Sequence, residues 1–421
     1  MDRSCSSVIL RSDSTPLEDL KLQHNILKNN TIVSEKNATL LVESLHLTAY
    51  LLLLGDRSDS QLIDYFVKSR MLNNWIHLMR QKNRNQSWNS VSVKFLQTFS
   101  TLCYNIRKEA FLAHLLSEVN VIIRLEYNFS DEDAILYYVN FLRMLSFRIN
   151  NQTIQFFYNE LIYDFPLYTE AMRFLYHSES EVRTAVRTIS LNVYKFSDAS
   201  MLRFIGDKAA FANFYNLVWH IGKQMMDVDK YLNTDTGHEA AHTLLNLLAE
   251  HFDHLDYIND ILLLDIGDLK VKLTKHFLHK LFITFVVLSL DPSPPQLNST
   301  NYQNFHNSTM SSITAMYFLS LVFLISAHAP LVQGLAWVIL NGNHESLETE
   351  LNCFIEEVSA EASKTTLKAT NTTTVSKPFL DFILRSLECS QNDHKAMPAL
   401  CLLFTMHTNR GKHIKSKQNL A

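Results

Sequence analysis

Glycine and proline are scarce in this chain, with eight of each among 421 residues. An all-β protein needs many tight turns, and these two residue types supply a large share of them. Their scarcity argues against an all-β fold and predicts long helices joined by few tight turns. Hydrophobic residues make up 47% of the chain, which is ample for a core.

Cysteine is also sparse, and its positions show no metal-binding spacing. The five cysteines are Cys5, Cys103, Cys353, Cys389 and Cys401. Because none of them forms a C-x-x-C pair, we expect reduced thiols in a cytoplasmic protein, neither a disulfide framework nor a zinc ribbon. The net charge is only −4, so no strong global field attracts nucleic acid, and no nucleic-acid partner is expected.

No apolar run is long and uninterrupted enough to predict a membrane span. The main candidate, Ile313–Ile325, meets polar residues well before the about 20 apolar residues that a span needs. A second run, Phe277–Leu290, is interrupted by His279 and Lys280. We interpret both runs as buried helices and leave peripheral attachment open. The N-terminus has neither the apolar region of a signal peptide nor a glycine at position 2 for myristoylation.

Catalytic motifs are lacking, with one exception. There is no G-x-S-x-G elbow and no glycine-rich phosphate loop. Residues 238–242, however, fit H-E-x-x-H, in which His238 and His242 would bind zinc and Glu239 would polarise the attacking water. The glycine and histidine of the metzincin continuation do not follow, and a chain with eighteen histidines can match by chance. We interpret the stretch as a surface helix and keep a zinc hydrolase as an unfavoured alternative.

Two further histidine pairs have the i, i+3 spacing of one helix face. They are His251 with His254 and His276 with His279. Such pairs can clip a metal between helices, but we interpret them as ordinary histidines on polar faces. No metal and no cofactor are expected.

A predicted helical hairpin in residues 164–195 is the best-defined local structure. Pro166 suits the first position of a helix, which we expect to continue to about Tyr176. Ser178 and Glu181 form a capping-box pattern that predicts a second helix start. In that helix an apolar stripe recurs with helical spacing at Val182, Val186, Ile189 and Val193. Because neighbouring helices must cover such a hairpin, the sequence predicts an all-α fold, an armadillo- or HEAT-like α-solenoid of stacked hairpins.

Arg183 and Arg187 lie one turn apart on this helix, off the apolar stripe. They suggest a paired basic site for a phosphoinositide or an acidic peptide. The structural alternative is an ion pair between Arg183 and Glu179, four residues earlier, with Asp164 and Glu170 as further acceptors. We favour the structural alternative and expect Arg187 to be a surface residue.

The run Phe165–Lys195 closely resembles the motif that names the FPL-domain family. That family includes animal regulators of endosomal maturation and a plant vacuolar-trafficking protein. Other segments are also similar to it: Asn29–Leu45, Phe129–Glu160, Asn216–Gly222, Leu248–Leu262, Ala327–Gly342 and Leu387–Phe404. The resemblance assigns a structural or partner-binding role to the motif residues Phe165, Pro166, Leu167, Glu170, Arg183 and Arg187.

The resemblance implies a non-enzymatic adaptor or scaffold in endosomal trafficking, endosome-to-lysosome transport and autophagy. It implies a cytoplasmic protein held peripherally on endosomal, lysosomal or Golgi membranes by protein partners of the endosomal and autophagy machinery. One alternative is a scaffold that regulates a ubiquitin ligase in mitophagy or autophagy. Animal members of the family continue well beyond the matched region, so we expect a short form, a fragment or a truncated gene model.

Composition shifts predict the domain organisation. Residues 1–290 are predicted to form an N-terminal FPL-type solenoid, and residues 291–310, which contain three prolines, a linker. Residues 311–408 would form a C-terminal helical portion with a Ser/Thr-rich linker at 363–376. Residues 409–421 would be a basic, disordered tail.

Overall fold

The computed structural model describes residues 15–58, 60–81, 86–196, 198–233, 238–290, 310–342, 377–388 and 393–409, with only the backbone described at 208–210 and 238–240. Among these residues every regular element is a helix, and the one β-type pairing is an isolated bridge between Asn159 and Asp164. The predicted all-α, solenoid-like fold is confirmed. The chain divides into two compact units, residues 1–204 and 205–421.

The predicted 1–290 domain therefore extends across both units. The predicted 363–376 linker lies outside the described residues, as do nearly all of the 291–310 linker and of the 409–421 tail. These domain boundaries stay predictions.

The first unit is a succession of helices of unequal length. In chain order the described ones are α1 (Pro16–Asn29), α2 (Ala38–Arg57), α3 (Ser60–Lys68), α4 (Met71–Met79), α5 (Gln86–Asn105), α6 (Glu109–Leu116), α7 (Val119–Ile123), α8 (Glu132–Ser146), α9 (Ile154–Phe157), α10 (Pro166–Met172), α11 (Ser180–Lys195) and α12 (Ala199–Ile205). The long helices stack one after another: α2 packs on α5, α5 on α8, and α8 on α11. This is the nearest-neighbour packing of a solenoid.

Aromatic rings fill the space between the stacked helices. Trp75, Phe95 and Phe99 are fully buried, and their rings meet edge-on or tilted, with centroids 6.0–6.1 Å apart. Phe99 also meets Phe141 of α8, at 6.0 Å. Large rings bury much apolar area for each residue that is ordered, so this ladder stabilises the stack.

The second unit contains the two longest helices of the described chain. Its described helices are α13 (Lys208–Leu232), α14 (His238–Leu263), α15 (Gly267–His276), a π-helical continuation (Phe277–Val286), a 3₁₀ turn (Val287–Leu290), α16 (Ser312–Ile325), α17 (Ala329–Asn341), α18 (Pro378–Ser386) and α19 (Ala396–Thr408). Within this unit α13 packs on α14, and α16 packs on α19.

Two contacts fix the packing around α13. A Cβ atom at Gly222 would lie 2.5 Å from the ring of Phe285, so only glycine permits this close approach to the π-helical segment. About two turns further on, the buried Asp229 accepts hydrogen bonds from the Ser311 N–H (3.1 Å) and the Thr314 hydroxyl (2.6 Å). The carboxylate thereby anchors the N-terminus of α16, where negative charge is favourable.

Within the described part of the chain, two helical stretches are long and apolar enough to cross a membrane by length and composition: Ala38–Arg57 and Gly267–Leu290. The second includes the interrupted run that we interpreted as a core helix, and 61% of its most apolar stretch is buried inside the protein. The other sequence candidate becomes α16, only 14 residues long and largely buried. Packing inside the second unit thus accounts for both candidate runs.

Candidate functional site

The first residues of the FPL motif lie in the core of the first unit. Phe165 and Leu167 are fully buried, and Pro166 is the first residue of α10, as predicted. The helix ends at Met172, earlier than predicted, and a turn follows. Burial of these side chains supports a packing role for this part of the motif.

A pair of buried tyrosines joins the two helices of the hairpin. The hydroxyl groups of Tyr168 on α10 and Tyr194 on α11 lie 3.0 Å apart, and both rings are fully buried. Because one hydroxyl donates to the other, each satisfies part of the hydrogen-bonding requirement that burial imposes. The motif is therefore fastened by a polar contact as well as by apolar packing.

Arg183 and Arg187 are buried, with exposed fractions of 8% and 9%, so the prediction of a surface position for Arg187 is wrong. The reason is that α11 is covered by both α10 and α8, which buries positions beside the apolar stripe. The Arg183 guanidinium donates to the carbonyl oxygens of His177 (2.7 Å) and Ser178 (2.5 Å). These carbonyls belong to the turn between the hairpin helices, so Arg183 holds that turn.

The two acidic residues proposed as acceptors for the arginine pair contact other cations. The Asp164 carboxylate lies 2.6 Å from Arg124, and the Glu170 carboxylate lies 2.6 Å from Arg173. Glu170 and Arg173 together line an open cavity of about 430 Å³ beside Tyr138. Among the motif residues, Glu170 thus borders a space that a ligand side chain can enter.

The predicted capping box of the second helix does not form. Helix α11 begins at Ser180, and its N-cap residue is Glu179, whose side chain makes no capping hydrogen bond. The Glu179 N–H instead donates to Nδ1 of His177, at 3.2 Å. The turn is therefore organised by His177 and Arg183, a role that short-range capping patterns do not reveal.

Directly before the motif, three apolar side chains protrude into solvent; we call Leu161, Ile162 and Tyr163 the apolar tip. Their exposed fractions are 96%, 68% and 45%. Asn159 and Asp164 exchange both backbone hydrogen bonds, at 2.9 and 3.0 Å, and so close the loop. The Asn159 side-chain oxygen accepts from the N–H groups of Leu161 (3.0 Å) and Ile162 (3.3 Å). The tip is thus presented on a defined backbone.

The flanks of the apolar tip carry charges that compensate one another. Glu160 lies 3.8 Å from Arg203, and Asp164 lies 2.6 Å from Arg124. Tyr163 has a left-handed backbone with φ +54°, and its ring meets Phe204 edge-on at 5.1 Å. The tip is therefore a locally neutral apolar surface, which our sequence-based predictions do not include. The available signal was a short apolar run between Asn/Asp positions, immediately before a helix-starting proline.

A larger groove of about 960 Å³ lies elsewhere in the first unit, between the ends of α5, α6 and α8. Its walls include the half-exposed rings of Tyr104 and Phe147. Arg148 donates to the Tyr104 carbonyl, and its guanidinium lies 5.9 Å from the Tyr104 ring centroid. The groove mixes charged and aromatic groups, so it suits a polar peptide better than an apolar anchor.

The H-E-x-x-H stretch begins α14, but the side chains of His238 and Glu239 lie outside the described residues. The third member, His242, is exposed, and its Nδ1 atom lies 3.2 Å from the Asn246 amide nitrogen. The exposed His242 agrees with the surface-helix interpretation. The absence of a zinc site at 238–242 stays a prediction.

Three of the four paired histidines are buried, so their interpretation as polar-face residues is wrong for His251, His254 and His276. Burial lowers the pKa of His251 to about 3 and that of His276 to about 4. The ring of His251 packs 4.5 Å from Phe318. These histidines lie in the core because other helices of the second unit cover them.

Among the residues that the structure describes, one cluster that contains histidine has the composition of a metal site. His220 of α13 and Glu250 and His254 of α14 each offer one donor atom, and the three atoms lie within 4.8 Å of one another. Sequence spacing pairs His254 with His251 and does not indicate His220, which lies thirty residues from Glu250 in the chain. Only the packing of α13 on α14 brings these residues together.

Comparison with known sequences gives two family matches. The FPL family, described as an uncharacterised conserved protein, matches residues 45–194. The CLEC16A helical domain matches residues 240–367 and 343–420. Together the two matches extend over most of the chain, and the first contains all of the hairpin described above except its last residue, Lys195.

Individual relatives agree with these matches. The chain is 42% identical to the CLEC16A homolog of Drosophila melanogaster, over 94% of this chain and 46% of that protein. It is 36% identical to CLEC16A of Mus musculus, with the same two shares, and 28% identical to TRANSPARENT TESTA 9 of Arabidopsis thaliana, over 74% and 37%. The chain thus spans about half the length of the curated animal relatives it matches. With these similarities and the hairpin motif, the chain belongs to the FPL-domain family of CLEC16A-type proteins.

Proposed function

We propose that this protein is a non-enzymatic adaptor of endosomal trafficking, endosome-to-lysosome transport and autophagy, recruited to endosomal or Golgi membranes by protein partners. Membership of the FPL-domain family supports the pathway, as the sequence resemblance implies. The observation that carries the adaptor role is the apolar tip, which offers three exposed apolar side chains on a closed loop. Stacked helical arrays offer extended surfaces for partners, which fits this role.

The apolar tip is suited to reversible binding. Burying a leucine or isoleucine side chain contributes about 1.5–3 kcal/mol, so Leu161 and Ile162 together contribute about 3–6 kcal/mol before the costs of association. The backbone pairing of Asn159 with Asp164 already fixes the loop, which reduces the conformational entropy lost on binding. A contact of this strength holds an adaptor transiently and leaves room for further contacts.

A protein pocket fits the apolar tip better than a lipid surface does. Peripheral lipid binding by a small apolar insertion is usually reinforced by a cluster of Lys or Arg residues facing anionic lipid. Here Arg124 and Arg203 each lie beside a carboxylate, so the described flanks carry balanced charge. The proposed partner is therefore a protein with an apolar pocket.

The test is rescue of cells that lack the protein. We compare wild type, the double variant Leu161→Asp/Ile162→Asp, and the control Ile32→Asp. Ile32 is also in the first unit and is 72% exposed, so the control adds a carboxylate to a comparable surface position. Each variant is first checked for unchanged circular dichroism and Tm.

We expect wild type and Ile32→Asp to restore endosomal cargo degradation and autophagosome turnover, and the double variant to leave both slow. Full rescue by the folded double variant would show that the apolar tip does not bind the partner. If wild type itself fails to change either rate, the proposed pathway is wrong for this chain.

A further inference from the structure

Two imidazoles and one carboxylate converge between α13 and α14 in the second unit. The Nε2 atom of His220 lies 3.6 Å from a carboxylate oxygen of Glu250. The rings of His220 and His254 have their centroids 5.2 Å apart. Glu250 and His254 are four residues apart on α14, so both side chains point from the same helix face toward α13.

The orientation of His254 is already fixed by a backbone contact. Its Nδ1 atom lies 2.7 Å from the carbonyl oxygen of Glu250. A carbonyl can only accept a hydrogen bond, so Nδ1 carries the proton and Nε2 holds the lone pair in the neutral ring. Histidines that bind metals commonly donate their second N–H to a carbonyl in this way, which sets the tautomer and the ring direction.

We propose that His220, Glu250 and His254 form a Zn²⁺ site that joins α13 to α14. Two histidines and a glutamate are an established ligand set for Zn²⁺, whereas Ca²⁺ and Mg²⁺ prefer sites made of oxygen atoms. Zinc bonds of about 2.0–2.2 Å in a tetrahedron place neighbouring donors about 3.3–3.5 Å apart. The distance of 3.6 Å between Nε2 of His220 and the Glu250 carboxylate oxygen is close to this value. All three donor atoms lie within 4.8 Å of one another, so small side-chain rotations would bring them to the distances that zinc requires.

The surroundings of the cluster suit an ion that enters from solvent. His254 is buried, whereas the side chains of His220 and Glu250 are 29% and 25% exposed. Three protein ligands leave the fourth position of a tetrahedral ion for a water molecule or a partner's side chain. The site is separate from the H-E-x-x-H stretch at 238–242, and it does not depend on the proposed trafficking function.

The test is zinc binding by the full chain, purified without chelators, with Glu250→Gln as the main variant. Glutamine keeps the shape of glutamate and removes its charge. His254→Gln is the second variant, and His242→Ala is the matched control, because it removes an exposed histidine from the same helix. Bound zinc is measured by elemental analysis, affinity by competition with a chromophoric chelator, and fold by circular dichroism.

We expect one zinc ion per wild-type chain and an affinity reduced at least tenfold by Glu250→Gln and by His254→Gln. His242→Ala should bind like wild type. Zinc should raise the Tm of wild type and of His242→Ala more than that of Glu250→Gln, because an ion that binds only the folded state stabilises it in proportion to the logarithm of its occupancy ratio. When Co²⁺ replaces Zn²⁺, wild-type protein should show the intense visible absorption of a tetrahedral cobalt site. Glu250→Gln and His254→Gln should not show it.

The proposal is overturned if wild-type protein at about 10 µM binds no zinc when zinc is in about tenfold molar excess. Equal loss of zinc in His242→Ala and Glu250→Gln would also overturn it, since that result indicates unspecific binding by exposed histidines. If zinc is lost only in variants whose circular dichroism has also changed, the wild-type protein decides: zinc should raise its Tm, and a wild-type Tm that zinc leaves unchanged would overturn the proposal.

Discussion

Two neighbouring apolar triplets in the first unit have opposite fates. Leu161, Ile162 and Tyr163 protrude from a loop, whereas the triplet that begins at Phe165 is buried. A single residue, Asp164, separates them. Its backbone pairs with Asn159 and reverses the chain, so that one triplet turns to solvent and the next enters the core.

The polar residues beside each apolar run therefore decide whether it is exposed or buried. Both triplets have similar composition, and neither has the periodicity of a long helix. The Asn159–Asp164 pairing closes the exposed triplet into a loop, whereas Pro166 starts a helix within the buried triplet. The buried triplet contributes to stability through core packing, and the exposed one is available for contact with a partner.

The largest expected difference separates two leucines six residues apart. Leu167→Ala should destabilise the protein by about 2–5 kcal/mol, because it leaves a cavity in a packed core. Leu161→Ala should change stability by less than about 0.5 kcal/mol, since that side chain is almost fully exposed. Urea unfolding, monitored by circular dichroism, measures the stability change of each variant. Equal unfolding midpoints for the two variants would refute the assignment of Leu167 to the core and of Leu161 to the exposed tip.

The next effect concerns the buried arginine that holds the motif's turn. Arg183→Ala removes hydrogen bonds to the carbonyls of His177 and Ser178, each worth about 1.5–3 kcal/mol when the donor is charged. We expect a loss of about 3 kcal/mol. Arg173→Ala is the control, because the Arg173 side chain is 60% exposed. If the two variants melt together, Arg183 does not hold the turn.

Acid should weaken the protein without changing the contrast between the two leucines. Burial lowers the pKa of His251 to about 3, so the unfolded chain takes up a proton near pH 6.5 that the folded chain refuses. Its contribution is complete above that pH and is lost as the pH falls, by about 2 kcal/mol at pH 5. Urea unfolding at pH 7 and at pH 5 should show this loss in the free energy of unfolding. The loss should be smaller in His251→Leu. If His251→Leu loses as much stability as wild type between the two pH values, other groups cause the acid sensitivity.

The smallest effect concerns the charges beside the apolar tip. Asp164→Asn keeps the backbone pairing and removes the ion pair with Arg124, which is half exposed. Such pairs contribute about 0–1 kcal/mol. We expect a Tm shift close to the error of the measurement and unchanged membrane recruitment. Lost recruitment in this variant, with Leu161 and Ile162 intact, would make charge the binding determinant in place of apolar contact.

The fold could be predicted because its signals are local and repeated. Scarce glycine and proline, helical periodicity and the position of Pro166 each specify helices, and apolar stripes require neighbouring helices to cover them. Side-chain environments around Arg183 and Arg187 could not be predicted in the same way. Whether a residue beside a stripe is buried depends on how many helices cover it, and that is a tertiary property.

The candidate sites depend still more on distant contacts. His220 and Glu250 meet only because α13 packs on α14, so no spacing rule finds them. The apolar tip depends on a bridge between Asn159 and Asp164, which flank it closely in sequence. A short apolar run enclosed by such turn-forming residues could have been recognised as a loop from sequence, whereas the histidine cluster could not.

We propose that the apolar tip recruits this protein to membranes through a protein partner. The most direct measurement is the fraction of purified protein that binds isolated endosomal membranes, with and without prior protease treatment of those membranes. Wild type and Ile32→Asp should bind untreated membranes and lose most binding after protease treatment, and Leu161→Asp/Ile162→Asp should bind neither. Wild-type binding that survives protease treatment, or equal binding by the folded double variant, would contradict the account.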